Sequence, residues 1–522
     1  MPGSCASDAG ILAQDEGEHM PTASQPLLIA ELMEASGVKF GTSGARGLAA
    51  SMTDRVCYAY TKAFVQYLRQ DGKLQPGCPV GIAGDLRPSS ERIAEACARA
   101  ALDLGHRPVN CGKLPTPALA NYGFRQGIST LMVTGSHIPD DRNGIKFYTP
   151  TGEILKPDED GIRAQRVEVP PRLFDAAGGA LWGPTQALPA VDPAAAEAYC
   201  RRYLEFLPAG CLAGLRVGLY EHSTVARQTM YRVLSGLGAQ VTRLGRSTRF
   251  VPVDTEAIRE EDIRLGREWA GSGEFDSLLS ADGDGDRPLV SDERGEWLRG
   301  DVAGVLCARY LGADAVVTPV SSNTMAEKCH WFGQVIRTRI GSPYVIAGME
   351  RARQQGFSRV VGYEANGGFL LATDLEQGGR RLPALATRDA LIVGLSILLM
   401  TKQAGTAIAQ LVCQLPRRYT ASDRLKDFPT ELSRAKMDEL SSSGSRGDHD
   451  AITDLFGPHF GRVASLDRTD GLRITFSSGE IAHLRPSGNA PELRAYAEAS
   501  TPERAHEMTR ICMEILARWR DR

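Results

Sequence analysis

The sequence lacks the features that would place it in a membrane or on a polyanion. No uninterrupted apolar run reaches the length of a membrane span. Residues 1–26 have no basic region followed by an apolar core, so they do not read as a secretory signal; their Ser, Ala, Asp, Glu and Pro content reads as a disordered lead-in. The eleven cysteines are scattered, odd in number and without a CxxC pair, which fits reduced thiols in a cytoplasmic protein better than a disulfide framework. Sixty basic residues against 63 acidic ones leave a net charge of −3, so no global basic field exists for nucleic acid or an anionic membrane. Any anion site must be local.

What is present is a long chain of ordinary globular composition: 522 residues, 42% hydrophobic and 24% charged, enough for several domains. Short apolar runs alternate with helical patterns. Residues 27–184 read as one α/β domain, with strands at Pro79–Ala83 and Thr130–Val133, a helix at Glu91–Leu104, and an Asn143-Gly144 turn into a strand at Ile145–Tyr148. Asp175–Pro193 reads as a linker. A second α/β domain over 185–296 has strands at Leu215–Leu219, Gln240–Leu244 and Ser277–Ala281. A third over 297–415 has strands at Ala315–Thr318, Val335–Ile340 and Arg359–Gly362, closed by helices at Arg388–Met400 and Thr406–Cys413. The tail, 416–522, reads as a smaller α+β domain with a Ser/Gly-rich insertion at Ser441–Gly447. The expected architecture is three similar α/β layouts plus a different C-terminal domain.

The most informative motif is Asp282-Gly-Asp284-Gly-Asp286-Arg287. Three carboxylates in five residues repel one another unless a cation sits among them, and oxygen-only ligands favour a hard divalent ion, Mg²⁺ first. Glu293 completes a calcium-loop spacing, but Arg287 stands where that loop needs glycine. Arg287 is a planar donor suited to phosphate. Val133-Thr-Gly-Ser136-His137-Ile-Pro follows a buried strand and exposes a hydroxyl, with His137 or Lys146 as candidate bases. Gly41-Thr-Ser-Gly-Ala-Arg46 offers backbone N–H groups and a guanidinium to an anion. In Tyr363-Glu364-Ala-Asn366-Gly-Gly368, Glu364 and Asn366 can hydrogen-bond sugar hydroxyls. In Arg485-Pro-Ser487-Gly488-Asn489, followed by Arg494, a second phosphate can be held. Each loop alone also reads as a solvated turn.

Taken in this order, the five loops resemble those of the α-D-phosphohexomutase superfamily over residues 38–498. The resemblance implies four domains around a central cleft and a phosphate carried by Ser136. It implies Mg²⁺ held by that phosphoserine with Asp282, Asp284 and Asp286. It assigns proton transfer to His137 and Lys146, and the reacting phosphate to Arg46 and Arg287. Sugar recognition falls to Glu364 and Asn366, and the non-reacting phosphate to Arg485, Ser487, Gly488, Asn489 and Arg494. It implies a hexose phosphate substrate, mannose before glucose, a hexose 1,6-bisphosphate intermediate, and a monomer or homodimer. Phosphoglucosamine turnover, a non-catalytic sugar-phosphate sensor and a metal-dependent phosphatase are the alternatives. Three positions depart from the usual pattern: Gly135 replaces Ala and Ile138 replaces Asn in the serine loop, Asn366 and Gly368 replace Ser and His in the sugar loop, and Asn489 replaces Thr.

Overall fold

A computed structural model describes residues 26–41, 44–183, 188–440, 445–487 and 491–520. The expected lead-in lies outside them up to residue 25, as do Gly488, Asn489 and the first part of the Ser/Gly-rich insertion. Three sheets repeat one plan. In the first, Arg107–Lys113 and Ser129–Val133 flank Pro79–Gly84 in parallel, and Arg142–Thr149 returns antiparallel beside Ser129–Val133. In the second, Gln240–Leu244 and Ser277–Ala281 flank Arg216–Tyr220, and Pro288–Val290 returns antiparallel. In the third, Gln334–Thr338 and Val360–Tyr363 flank Ala315–Pro319, and Phe369–Leu371 returns antiparallel.

The plan places the chemistry. The Ser136, Asp282 and Glu364 loops each connect the third strand of a unit to its antiparallel fourth, at the carboxyl end of a parallel strand, where open α/β sheets present ligand-binding loops. The fourth sheet is all antiparallel, in the order Tyr419–Leu425, Leu493–Ala499, Ile481–Pro486, Leu472–Phe476, Val463–Asp467. It has its own apolar core, capped by the helix Pro502–Ala517. Three contacts fasten this sheet to the third unit, one of them Arg339 Nε donating to Thr469 O at 3.1 Å. Glu498 accepts from Thr324 N at 3.0 Å, from Thr324 Oγ1 and from Arg418 Nε, and Asp470 Oδ2 accepts from Ile340 N at 2.9 Å.

Several local readings are corrected. Asn143 and Gly144 are not a turn but lie inside the strand Arg142–Thr149; a Cβ on Gly144 would fall 2.7 Å from Ala45 O, so the glycine serves close strand approach. Part of the expected insertion is helical: Ser445–Phe460 is a helix because Ile452, Phe456 and Phe460 recur every fourth residue on the C-terminal core. The helix expected from Arg388 begins at Ala390, because Asp389 caps it by accepting from Leu391 N at 3.0 Å. The described part of the expected linker packs on the first unit, with Trp182 against Phe174 and Pro189 O accepting from Asn110 Nδ2 at 2.8 Å. The ten described cysteines are free. No helix among the described residues is long and apolar enough to cross a membrane.

Candidate active site

Ser136 sits in a tightly specified loop. Its backbone is left-handed, with φ 58°, a conformation that costs a non-glycine residue of order 1 kcal/mol or more. Several contacts over-determine it. Thr134 Oγ1 accepts from Ser136 N at 2.8 Å and donates to Asp85 Oδ2 at 2.7 Å. The fully buried Arg87, ion-paired with Asp85, donates to Ser136 O at 3.0 Å and to Ile138 O. Arg87 also lies over the Phe250 ring at 4.0 Å from its centroid. A Cβ at residue 135 would fall 2.8 Å from Arg87 Cζ, which accounts for glycine in place of alanine there.

The acidic loop packs directly on this serine. A Cβ on Gly283 would fall 2.8 Å from Ser136 O, and Gly285 adopts φ 71° to complete the turn. Ser136 Oγ donates to Asp282 Oδ2 at 2.7 Å. Asp282 Oδ1 accepts the backbone N–H groups of Asp286 and Arg287, each at 3.1 Å. Glu293 does not join the cluster; its Oε2 accepts from Ala409 N at 3.2 Å, so no calcium loop forms.

Asp282, Asp284 and Asp286 are fully buried, each with one oxygen inside a 4.8 Å group. Asp284 Oδ1 and Asp286 Oδ1 are buried without a hydrogen-bond partner. Burial, then the charges of Asp284 and Asp286, push the Asp282 carboxyl well above the usual range. Unpartnered buried carboxylate oxygens converging on one point fit a hard divalent cation.

Cations surround the triad. Lys146 Nζ donates to Asp284 Oδ2 and Asp286 Oδ2, each at 2.6 Å; burial opposes its charge, but these two carboxylates hold the ammonium above the ordinary lysine range. Arg287 Nη1 donates to His137 Nδ1 at 2.8 Å. Burial, then the Arg287 charge, push His137 down to about 3, so its imidazole is neutral near pH 7. Burial, then Arg287, lower Arg46 to about 10. Arg46 makes no ion pair among the described residues and lines a cavity with Ser136, Lys146, Arg287 and Arg388.

Glu364 and Asn366 come to the edge of this cluster. Glu364 Oε2 accepts from Arg388 Nη1 at 3.3 Å, and Arg388 Nε donates to Asp286 Oδ2 at 3.0 Å. Asn366 Oδ1 is occupied by Gly368 N at 2.9 Å, which leaves its amide as a donor. Arg485 and Arg494 are cross-strand partners in the C-terminal sheet, apart from the Ser136 cavity. Asp470 Oδ2 accepts from Arg485 Nε at 2.9 Å, Glu492 Oε2 accepts from Arg494 Nη2 at 3.0 Å, and Ser487 is buried beside them. Sequence reading missed Arg87, Thr116 and Arg388. Thr116 N donates to Asp284 O at 2.9 Å, and its only sequence signal is a Thr-Pro helix start after a strand.

Models of the phosphoglucomutase/phosphomannomutase family match this chain as alpha/beta/alpha domain I over residues 37–168, alpha/beta/alpha domain III over 299–419 and the C-terminal domain over 432–515. The chain belongs to this family, within the α-D-phosphohexomutase superfamily. It is similar to a phosphomannomutase of Sinorhizobium fredii, 44% identical over 92% of this chain and 99% of that protein. A phosphomannomutase of Salmonella muenchen is 42% identical over 91% and 95%. The fold matches the crystal structure of a putative phosphomannomutase from Thermus thermophilus, with TM-score 0.69 at 19% identity over 92% of this chain and 99% of that one. The chain is accordingly a phosphohexomutase, an isomerase that works by intramolecular phosphoryl transfer.

Proposed function

We propose that this enzyme interconverts hexose 6-phosphate and hexose 1-phosphate, mannose first and glucose second, through phospho-Ser136 and a hexose 1,6-bisphosphate. The carrying observation is the 2.7 Å contact of Ser136 Oγ with Asp282 Oδ2, which puts the hydroxyl on the buried triad. The preference for mannose is supported by the two phosphomannomutase relatives at 44% and 42% identity; a phosphoglucosamine mutase of Levilactobacillus brevis is 25% identical.

In the first step a substrate hydroxyl oxygen bonds to phosphorus as the Ser136 Oγ–P bond breaks; the hydroxyl proton passes to neutral His137 and is returned from it to the departing Ser136 oxygen. The bisphosphate reorients, and its other phosphoryl group returns to Ser136. Asp282, Asp284, Asp286 and phospho-Ser136 would hold Mg²⁺, which supplies charge neutralisation at the phosphoryl group. Arg46 and Arg287 offset charge on the same group, since positioning and electrostatics dominate this chemistry. His137 is the neutral base candidate, with Nδ1 3.4 Å from Ser136 Oγ, once Arg287 turns its donor to phosphate. Lys146 keeps its proton while both carboxylates face it. Glu364 and Asn366 orient the sugar. Arg485, Ser487 and Arg494, with Gly488 and Asn489 beyond the described residues, form the grip on the idle phosphate. Domain boundaries at 184, 296 and 415 put the Ser136, Asp282, Glu364 and Arg485 loops one to a domain, with the Arg46 loop also in the first. Free thiols at all ten described cysteines fit the reducing cytoplasm.

The test is Ser136→Ala in a coupled assay with mannose-, glucose- and glucosamine-phosphates side by side. Loss of isomer formation and of covalent phosphate label is expected, with mannose phosphate turned over fastest by the unmodified enzyme. Normal turnover by the variant would overturn the phosphoserine step; equal rates on all three sugars would overturn the preference.

A further inference from the structure

Arg388 is a cation in the cavity to which the chemistry above gives no task. Its side chain is 3% exposed. Two of its three nitrogens are held by carboxylates from different units: Nε by Asp286 at 3.0 Å and Nη1 by Glu364 at 3.3 Å. Among the described residues, Nη2 donates no hydrogen bond, and the residue lines the same cavity as Ser136 and Arg46. A guanidinium held at Nε and Nη1 with Nη2 free is a preorganised donor for an oxygen ligand. Its backbone is fixed too. Asp389 caps the next helix and accepts from Tyr199 at 2.6 Å and from Tyr203, so Arg388 leads into an anchored helix start.

Gly368 explains how the side chain fits. A Cβ at residue 368 would lie 2.4 Å from Arg388 Cδ and 2.7 Å from Cγ. A side chain at 368 and the present path of Arg388 are mutually exclusive. The usual sugar loop carries histidine at this place. Here the loop's own side chain is gone, and a cation from the following loop crosses the vacated space.

We propose that Arg388 is a substrate-contacting residue: its free Nη2 donates to an oxygen at the reacting end of the hexose phosphate, between Glu364 and Ser136, a position its side chain reaches because residue 368 has no side chain. The assignment rests on the mutase reading of the same cavity. Binding of the sugar phosphate to Arg388 also draws on Glu364 and Asp286, so one side chain ties sugar recognition to the acidic loop.

The experiment uses the full-length enzyme and four variants: Arg388→Ala, Arg388→Lys, Gly368→His, and Arg388→Ala with Gly368→His. Mutase kcat and KM, thermal midpoint, and calorimetric affinity for mannose 6-phosphate are measured for each. Arg388→Ala is expected to lower kcat/KM about 100-fold, the scale for removing one preorganised donor. Arg388→Lys should recover only part of this, because one point charge replaces a fork. Free guanidinium, below denaturing concentrations, should restore turnover to Arg388→Ala and not to the unmodified enzyme. Gly368→His alone should match Arg388→Ala, and the double variant should be no worse than either single one.

Unchanged affinity and kcat/KM in Arg388→Ala would overturn the proposal. So would a loss that tracks the thermal midpoint and ignores guanidinium, the signature of a brace between loops. An unmodified enzyme that binds mannose 6-phosphate but isomerises no hexose phosphate would sink the mutase reading instead, and the affinity series would still decide on Arg388. An enzyme that binds no sugar phosphate would end both.

Discussion

Ser136 Oγ and Asp282 Oδ2 lie 2.7 Å apart although 146 residues separate them in the chain. The hydroxyl comes from the first unit and the carboxylate from the second, so the candidate reacting group and its candidate metal loop are assembled by packing of equivalent loops. With three buried carboxylates facing one another, the ion-free protein is electrostatically frustrated. Asp282→Asn should therefore raise the thermal midpoint in chelator and abolish the further rise that Mg²⁺ gives the unmodified enzyme. Thermal scans with and without Mg²⁺ check both signs. A variant that keeps the Mg²⁺ response would remove Asp282 from the ligand set.

Gly135→Ala should destabilise the protein by about 1–3 kcal/mol, the range for forcing extra volume into a packed interior. The added methyl collides with Arg87, whose contacts hold Ser136 in its left-handed backbone. Denaturant unfolding measures the cost, and labelling of Ser136 with phosphate should fall in parallel. Full stability with full labelling would show the loop to be more tolerant than its geometry implies.

Arg485→Ala should raise KM for the hexose phosphate about 10-fold or more, because a hydrogen bond to a charged group is worth about 1.5–3 kcal/mol. Asp470→Asn should act oppositely on affinity. Asp470 Oδ2 accepts from Arg485 Nε at 2.9 Å, and a phosphate has to compete with it. Steady-state kinetics on both variants decide the matter; parallel losses of affinity would show Asp470 to be a support for Arg485 rather than a competitor.

His483 gives a pH signature in the C-terminal unit. Burial pushes it down to about 4 from its ordinary value of 6.5, and its Nδ1 has no partner. Between those values the unfolded chain binds the proton and the folded one does not. The stability contribution is therefore complete above pH 6.5 and is lost as pH falls towards about 4. His483→Gln should flatten the thermal midpoint over that window. An equally steep profile in the variant would assign the acid sensitivity to other groups.

The legible parts of the site were contiguous. Three aspartates in five residues, or a serine after a buried strand, announce their chemistry without knowledge of the fold. Strand-terminal placement was legible too, because short apolar runs immediately precede each loop. Arg388 was not, because its meaning depends on Asp286, 102 residues away, and on an empty Cβ position at Gly368. Arg87 reads as an ordinary charged residue until its burial under Phe250 is seen. The Asn143-Gly144 dipeptide misled for the converse reason: the same glycine that permits a turn also permits two strands to approach closely.

Asp470 does two jobs with one carboxylate oxygen, receiving Ile340 N from the third unit and Arg485 Nε from its own. A phosphate that drew Arg485 away would compete for an oxygen that also pins the third unit, while the Thr324–Glu498 and Arg339–Thr469 contacts stay in place. Occupancy at Arg485 would then be felt at Ile340 in the neighbouring unit through one shared oxygen atom.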